Sequence, residues 1–259
     1  MSSILLRTED PVAYLQLNRP EVFNAFNREM ALELQELLDR LALDASVRVI
    51  VITGIGKAFC AGQDLKEVTT PELHPGFRTI LEDHYNPIIR KIRNMPKPVV
   101  AAVNGVAAGA GANIALSCDL VIASSSASFI QAFSKIGLVP DSGGTYFLPR
   151  LVGTQKAMAL CLLGDKVNAL DAANIGMIYK CVDAEVFENE TSVLTKSLAT
   201  LPAQALALTK KLLHKSWHHS LEEQLQMEAE LQIEASDSKD YQEGVAAFIE
   251  KRKPNFNAD

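Results

Sequence analysis

The sequence predicts an α/β core followed by a helical C-terminal region. Three observations carry this reading. Short β-branched apolar runs recur at 47–53, Val99–Val103 and 119–123, the pattern of strands buried on both faces. Glycine-bearing loops follow two of these runs, at 54–62 and 104–116. From about Thr154 onward the sequence is mostly helical in pattern.

The elements follow in order. "VAYLQLN" (12–18) alternates as a strand does, and Pro20 ends it. Asn27 can cap a helix in which Met30, Leu34, Leu37, Leu38 and Leu41 make one apolar stripe. After the strand "VRVIVIT", Gly54, Gly56 and Gly62 break the chain into a loop. A helix is expected over 77–93, closed by Pro96 and Pro98. "VVAAV" and "DLVIA" are two further buried strands. Ser220 with Glu223 is a capping-box pattern that opens a helix bearing Leu221, Leu225 and Met227. Another helix is expected over 239–253. No linker-like or low-complexity stretch separates the two regions.

Composition narrows the function. The chain has 259 residues, 48% of them hydrophobic, enough for a large core. A net charge of −6 argues against binding nucleic acid through a broad basic surface. Cys60, Cys118, Cys161 and Cys181 show neither CxxC spacing nor a zinc-ligand cluster, so reduced thiols in the cytoplasm and no metal site are expected. The N-terminal twenty residues lack the charged and apolar regions of a signal peptide. The most apolar stretch, 99–116, contains Asn104, Gly105, Gly109, Gly111 and Asn113, and reads as strand, loop and helix start instead of a membrane span.

Two loops invite chemistry. "GKAFCAGQDL" (56–65) and "NGVAAGAGANIAL" (104–116) each follow a strand and place small residues where main-chain N–H groups can face negative charge. Known motifs are excluded. A dinucleotide fingerprint needs glycine where Ile114 stands, a P-loop needs Ser or Thr where Ala58 stands, and there is no nucleophile elbow. A third stretch, "IGLVPDSGGTYFLPR" (136–150), sets Asp141 before a Ser-Gly-Gly turn. That aspartate fits either a cap for a helix beginning near Gly143 or an acid–base group.

Taken together, "LNRPEVFNAF", "KAFCAGQDL", "KPVVAAVNGVAAGAGANIAL", "CDLVIASSSASF", "GLVPDSGGTYFLPRLVG" and "AFIEKRKPNF" resemble the crotonase (enoyl-CoA hydratase/isomerase) superfamily in order and spacing, along almost the whole chain. Within it, "AAGAGA", "AFSKIGLVPDSGGT" and "GMIYKCVD" look most like ring-1,2-epoxyphenylacetyl-CoA isomerases of phenylacetate breakdown. The resemblance implies a spiral of repeated ββα units over 1–195 and a helical trimerisation region over 196–259. It implies an acyl-CoA thioester as substrate, with its carbonyl in an oxyanion hole formed by the N–H groups of Gln63 and Ala110. Two fixed donors favour an enolate over the neutral thioester, and one such donor is worth ~3 kcal/mol of barrier.

The resemblance also sorts the acid–base groups. The two glutamates of the hydratases fall at Asn113 and Phe133, neither of which can be a general base. Asp141 falls where isomerases of the family carry a catalytic aspartate, and one carboxylate suffices for a 1,3-proton shift. Burial among Phe133, Ile136, Leu138 and Val139 would raise its pKa and strengthen it as a base. Asn113 is a second candidate, bonding substrate or water, against a satisfied helix amide. His84 lies on a helix that can line the acyl pocket in this family. His74, His84, His214, His218 and His219 are expected to be scattered or surface-like, and "KSWHHS" to be a helix end.

Coenzyme A enters only as part of the substrate, with no separate cofactor. The resemblance places Val22, Ala61, Asp64 and Leu65 against it, with Arg19, Lys57 and Lys66 supplying nearby positive charge. Phe248 and Lys251 would close on the adenosine end from a neighbouring subunit of a homotrimer or a hexamer built as a dimer of trimers. The expected activity is an acyl-CoA isomerase acting on a 3-enoyl-CoA or a ring-epoxide phenylacetyl-CoA. The alternatives are an enoyl-CoA hydratase and a non-catalytic acyl-CoA binder.

Overall fold

The computed structural model describes residues 2–256. Its centre is a six-stranded sheet in the order β1 (Ile4–Glu9), β2 (Val12–Leu17), β3 (Val49–Gly54), β5 (Val99–Val103), β7 (Leu120–Ser124), β10 (Lys180–Val182). Every neighbour pair is parallel except β1–β2. A second sheet of three-residue strands runs β4 (Ala58–Cys60), β6 (Val106–Ala108), β8 (Ser128–Ile130), β9 (Lys166–Asn168).

The two sheets come from one repeated unit. β3, β5 and β7 each enter the large sheet, and β4, β6 and β8, which directly follow them, enter the small one. Helices then lead back to the next strand. This is the expected ββα repeat. Its inner strands have one-residue alternation between two cores. Leu15, Ile50, Ile52, Ala101 and Val121 face the main core, while Tyr14, Val49, Val51, Val100 and Ile122 face a second. Both faces are covered, so the strands read as continuous apolar runs.

The main core is closed by α1 (Arg28–Leu43), capped by Asn27 as expected, whose side chain accepts from the Met30 N–H at 3.0 Å. After the short α2 (Leu65–Thr69), the expected 77–93 helix is a composite. It comprises α3 (Phe77–Thr79), a π-helical stretch Ile80–Tyr85, and α4 (Asn86–Asn94). Gln35 on α1 donates to the carbonyls of Asp83 (2.8 Å) and His84 (3.0 Å) in the π-helical stretch, supplying partners from outside the helix. Next come α5 (Ala110–Ser117), α6 (Gly144–Val152), α7 (Thr154–Leu163) and α8 (Ala169–Asn174).

The second core is covered by α9 (Phe187–Ala199), through Phe187, Thr191, Thr195 and Ala199 at four-residue spacing. The boundary expected after residue 195 falls inside this helix. Because its buried face belongs to the sheet, α9 goes with the core. Beyond it lie α10 (Ala203–Lys215), α11 (Leu221–Ser236) and α12 (Lys239–Glu250), the last ending three residues before the expected 253. The capping box at Ser220 and Glu223 is present.

Two clusters fasten this arm to the core. Lys210 on α10 donates to Asp119 (2.6 Å) and to the carbonyls of Ile92 and Lys97. The "KSWHHS" turn grips α6. Trp217 stands beside Tyr146, Arg93 lies over both Phe147 and Trp217, and the Tyr146 hydroxyl meets His218 Nε2 at 2.6 Å. The arm still exposes Leu213, Leu221, Ile233, Phe248 and Ile249.

Candidate active site

Three chain segments meet where the sequence pointed. The first follows β4. Here Phe26 makes a parallel bridge to Gln63, donating to the Gly62 carbonyl (2.7 Å) and accepting from the Asp64 N–H (2.8 Å). Successive peptide groups of an extended segment face opposite ways. The Gln63 N–H is therefore turned away from Phe26. Among the described residues it donates to no backbone acceptor.

The second segment is the turn into α5. Ala110 is the first residue of that helix, where N–H groups have no intrahelical partner. Its N–H likewise has no backbone acceptor among the described residues. The two segments touch at Gly62, whose φ is +95°. A Cβ there would sit 3.0 Å from the Ala108 oxygen and 3.6 Å from the Ala110 nitrogen. Only glycine tolerates both the angle and the approach. Two unpaired main-chain donors thus lie on adjacent loops.

The third segment carries Asp141 at the start of α6. The capping alternative does not hold. Gly143 is the N-cap residue of α6, and no side chain caps it. The Asp141 carboxylate instead accepts from the Ser142 hydroxyl at 2.9 Å. Burial pushes its pKa up to about 6, with the Ser142 bond pulling the other way. Ser142 is buried with φ at 49°, a left-handed conformation costly for a non-glycine residue.

The source of that burial differs from the expectation. Ile136 is 64% exposed, Leu138 41% and Val139 80%, so these three lie largely open to solvent, whereas Phe133 is buried. The Phe133 ring lies beside Gly109, 3.6 Å from where a Cβ would be. It makes an apolar wall beside the turn into α5.

Asn113 takes the form of the satisfied helix amide. It is wholly buried, its Nδ2 donates to the Asp141 carbonyl (2.9 Å), and its Oδ1 accepts from Gln131 Nε2 (2.7 Å). Both ends of its amide are engaged within the protein. It holds Asp141 in place. The junction is tight enough that a Cβ on Gly144 would fall 2.3 Å from Asn113 Nδ2.

Other expected residues divide. Ala61 is exposed and ties its N–H to the Phe23 carbonyl (3.0 Å), and Val22 is half-buried in a 3-10 turn. Leu65 is exposed at the start of α2, and Phe248 and Lys251 are exposed at the end of α12. Asp64 has no spare carboxylate oxygen, since one accepts from the Lys66 N–H (3.0 Å) and the other pairs with Arg19 (2.7 Å). Its main chain is engaged as well, the N–H donating to the Phe26 carbonyl (2.8 Å) and the carbonyl accepting from the Glu67 N–H (3.1 Å). Arg19 is spent on that internal pair, whereas Lys57 and Lys66 are exposed.

His84 is buried, not on the surface, and burial lowers its pKa. Two neighbours escaped the sequence reading. Tyr85 is buried beside it, and its hydroxyl donates to Gln63 Oε1 at 2.7 Å. Gln131 supports Asn113. No group of three metal-ligating side chains occurs among the described residues, and none of their helices is long and apolar enough to cross a membrane.

Comparison with known proteins agrees with this geometry. Residues 7–259 match the enoyl-CoA hydratase/isomerase family. The 1,2-epoxyphenylacetyl-CoA isomerase of Escherichia coli (strain K12) is 45% identical, covering 99% of this chain and 98% of that protein. A "Probable enoyl-CoA hydratase" of Rhodobacter capsulatus is also 45% identical, covering 98% and 97%. Among solved structures, the enoyl-CoA hydratase of Bacillus anthracis superposes with a TM-score of 0.92 at 31% identity, covering 99% of this chain and all of that one. With sequence, fold and loop geometry in accord, the chain belongs to the enoyl-CoA hydratase/isomerase family and has the crotonase fold.

Proposed function

We propose that this protein is an acyl-CoA isomerase in which Asp141 moves a proton while the Gln63 and Ala110 N–H groups hold the thioester oxygen as an enolate. The observation that carries the reading is the Asp141 carboxylate, whose pKa is pushed up to about 6 at a loop locked from behind by Asn113. A base of that strength is ionised at neutral pH and still binds a carbon-derived proton well. In a 1,3-shift it takes the proton from one carbon and returns it two carbons away, converting a 3-enoyl-CoA into a 2-enoyl-CoA. A ring-1,2-epoxyphenylacetyl-CoA is the other substrate class, supported by the 45% identity to the enzyme named for it.

The hydratase reading has support in the equally similar relative of that name. The site disfavours it: Asn113 is buried with both amide ends engaged, and Phe133 offers no polar group. Coenzyme A is bound as part of the substrate, along Val22, Ala61, Asp64 and Leu65, with no further cofactor. Phe248 and Lys251, exposed at the end of α12, serve a neighbouring subunit of a trimer or hexamer. Four free thiols fit a cytoplasmic protein.

A panel of acyl-CoAs assayed with wild type and Asp141→Asn tests the assignment. Isomerisation that disappears in the variant supports it. Rapid hydration of crotonyl-CoA that survives Asp141→Ala makes the protein a hydratase. Failure to exchange deuterium at the α or γ carbon of any bound acyl-CoA makes it a binder.

A further inference from the structure

The geometry points to Tyr85 as a positioning residue that locks the Gln63 peptide of the oxyanion hole. This rests on the reading of the Gln63 N–H as one of the two oxyanion donors. That loop needs a lock. It joins a three-residue strand to a five-residue helix, and Gly62 within it has no side chain to hold it. An oxyanion donor works only if it is already aimed, and a displacement of ~1 Å at a reacting group costs ~100-fold in rate.

The lock is built on the Gln63 side chain. Its Oε1 accepts from the Tyr85 hydroxyl (2.7 Å), and its Nε2 donates to Glu67 Oε2 (2.6 Å). Glu67 is fixed in turn, because its other oxygen accepts from the Arg28 N–H (2.8 Å) at the start of α1. The carboxamide is therefore held at both ends, from two different elements. A residue next to the reacting carbonyl has its side chain tied down and its N–H left over.

Tyr85 is itself well placed to act as an anchor. It is 1% exposed, and its ring packs edge-on against Phe26 with centroids 5.9 Å apart. Phe26 is the residue whose backbone bridges to Gln63, so ring and backbone contacts converge on one point. The π-helical stretch turns Ile80, His84 and Tyr85 inward together, and Gln35 pins its carbonyls from α1. The Asp141 charge is among the influences that raise the Tyr85 pKa, after burial, so the phenol lies within electrostatic reach of the proposed base.

A double-mutant cycle decides whether Tyr85 acts through Gln63. Steady-state kinetics on the acyl-CoA that the wild type isomerises are measured for Tyr85→Phe, Gln63→Ala and the double variant. Tyr85→Phe is expected to lower kcat about tenfold with KM within about twofold. The double variant is expected to be no slower than Gln63→Ala alone. The acid limb of the pH profile, set by Asp141, stays where it is in wild type. Glu67→Ala cuts the same lock at its other end and is expected to reproduce the loss, which keeps the test available if Tyr85→Phe folds poorly. Wild-type kcat in both Tyr85→Phe and Glu67→Ala overturns the proposal. So does a double variant whose losses multiply, since Tyr85 would then act on substrate directly. Full activity in Asp141→Asn removes Asp141 as the base and leaves the Gln63 lock to be decided by the cycle; an inactive Asp141→Asn beside fully active Tyr85→Phe and Glu67→Ala removes the inference alone.

Discussion

Asn113 donates its side-chain amide to the main-chain carbonyl of Asp141 across 28 residues of sequence, at 2.9 Å. The bond ties the first turn of α5, which opens with the Ala110 N–H, to the loop that carries the carboxylate. The proposed base and the proposed oxyanion donor are therefore held on one junction, as preorganisation requires.

Asn113→Ala cuts that tie. It also leaves the Gln131 amide without its acceptor, in a side chain whose Oε1 already has no partner. Loss of such buried bonds costs about 1–3 kcal/mol. Urea unfolding is expected to show that loss, and kinetics a fall in kcat larger than any rise in KM. A variant with reduced stability but unchanged kcat would mean that the loop stays in place without Asn113.

The pH dependence of kcat/KM reports on Asp141. The carboxylate accepts a proton only when ionised, and burial pushes its pKa up to about 6. Activity should be level above that value and fall about tenfold per unit below it. Asp141→Asn should lose this limb along with roughly 10²–10⁴ of the rate. An acid limb near pH 4 in the wild type would show a carboxylate too well solvated to serve as this base.

Much of this is legible in the sequence, for identifiable reasons. The inner strands β3, β5 and β7 lie between two cores, so apart from Thr53 and Ser124 near their ends their residues are apolar and the runs stand out. Asn27 and Ser220 announce their helices because capping is local. The small-sheet strands are three residues long, too short to display a period. The β1 strand mixes Leu5 and Leu6 with Arg7 and Glu9 at a sheet edge, so its alternation is weak. The partners of the site lie far apart in the chain. Tyr85 meets Gln63 across 22 residues and Gln131 meets Asn113 across 18, and nothing local marks either pair. Ile136 and Val139 mislead for the opposite reason, since apolar character alone does not say which side of a loop they occupy.

Lys210 tests how the C-terminal arm is fastened. Burial pushes its pKa down, and the Asp119 carboxylate 2.6 Å away opposes the shift. Lys210→Met would strip a cation from Asp119 and a donor from the Ile92 and Lys97 carbonyls. Breaking one side of a buried pair typically costs about 3–5 kcal/mol. Thermal and urea unfolding should both show it. A change under about 1 kcal/mol would place the main attachment at Trp217, Tyr146 and Arg93 instead.

The same carboxylate that suits Asp141 to catalysis should weaken the fold. Its native pKa of about 6 lies above the 3.8 of an ordinary aspartate, so between these values the native state binds more protons than the unfolded chain. Stability therefore falls as pH rises through the window of about 4 to 6, by up to roughly 2–3 kcal/mol, and the deficit remains at higher pH. Asparagine has nearly the same shape, bears no charge, and still offers an oxygen to the Ser142 hydroxyl. Asp141→Asn should accordingly be more stable than wild type at pH 8, and the two should converge near pH 4. Urea unfolding at both pH values measures this directly. A variant less stable than wild type at pH 8 would mean that the ionised carboxylate has a stabilising partner, which would weaken it as a base. A stable but inactive variant is the expected signature of a residue kept for chemistry at the expense of stability.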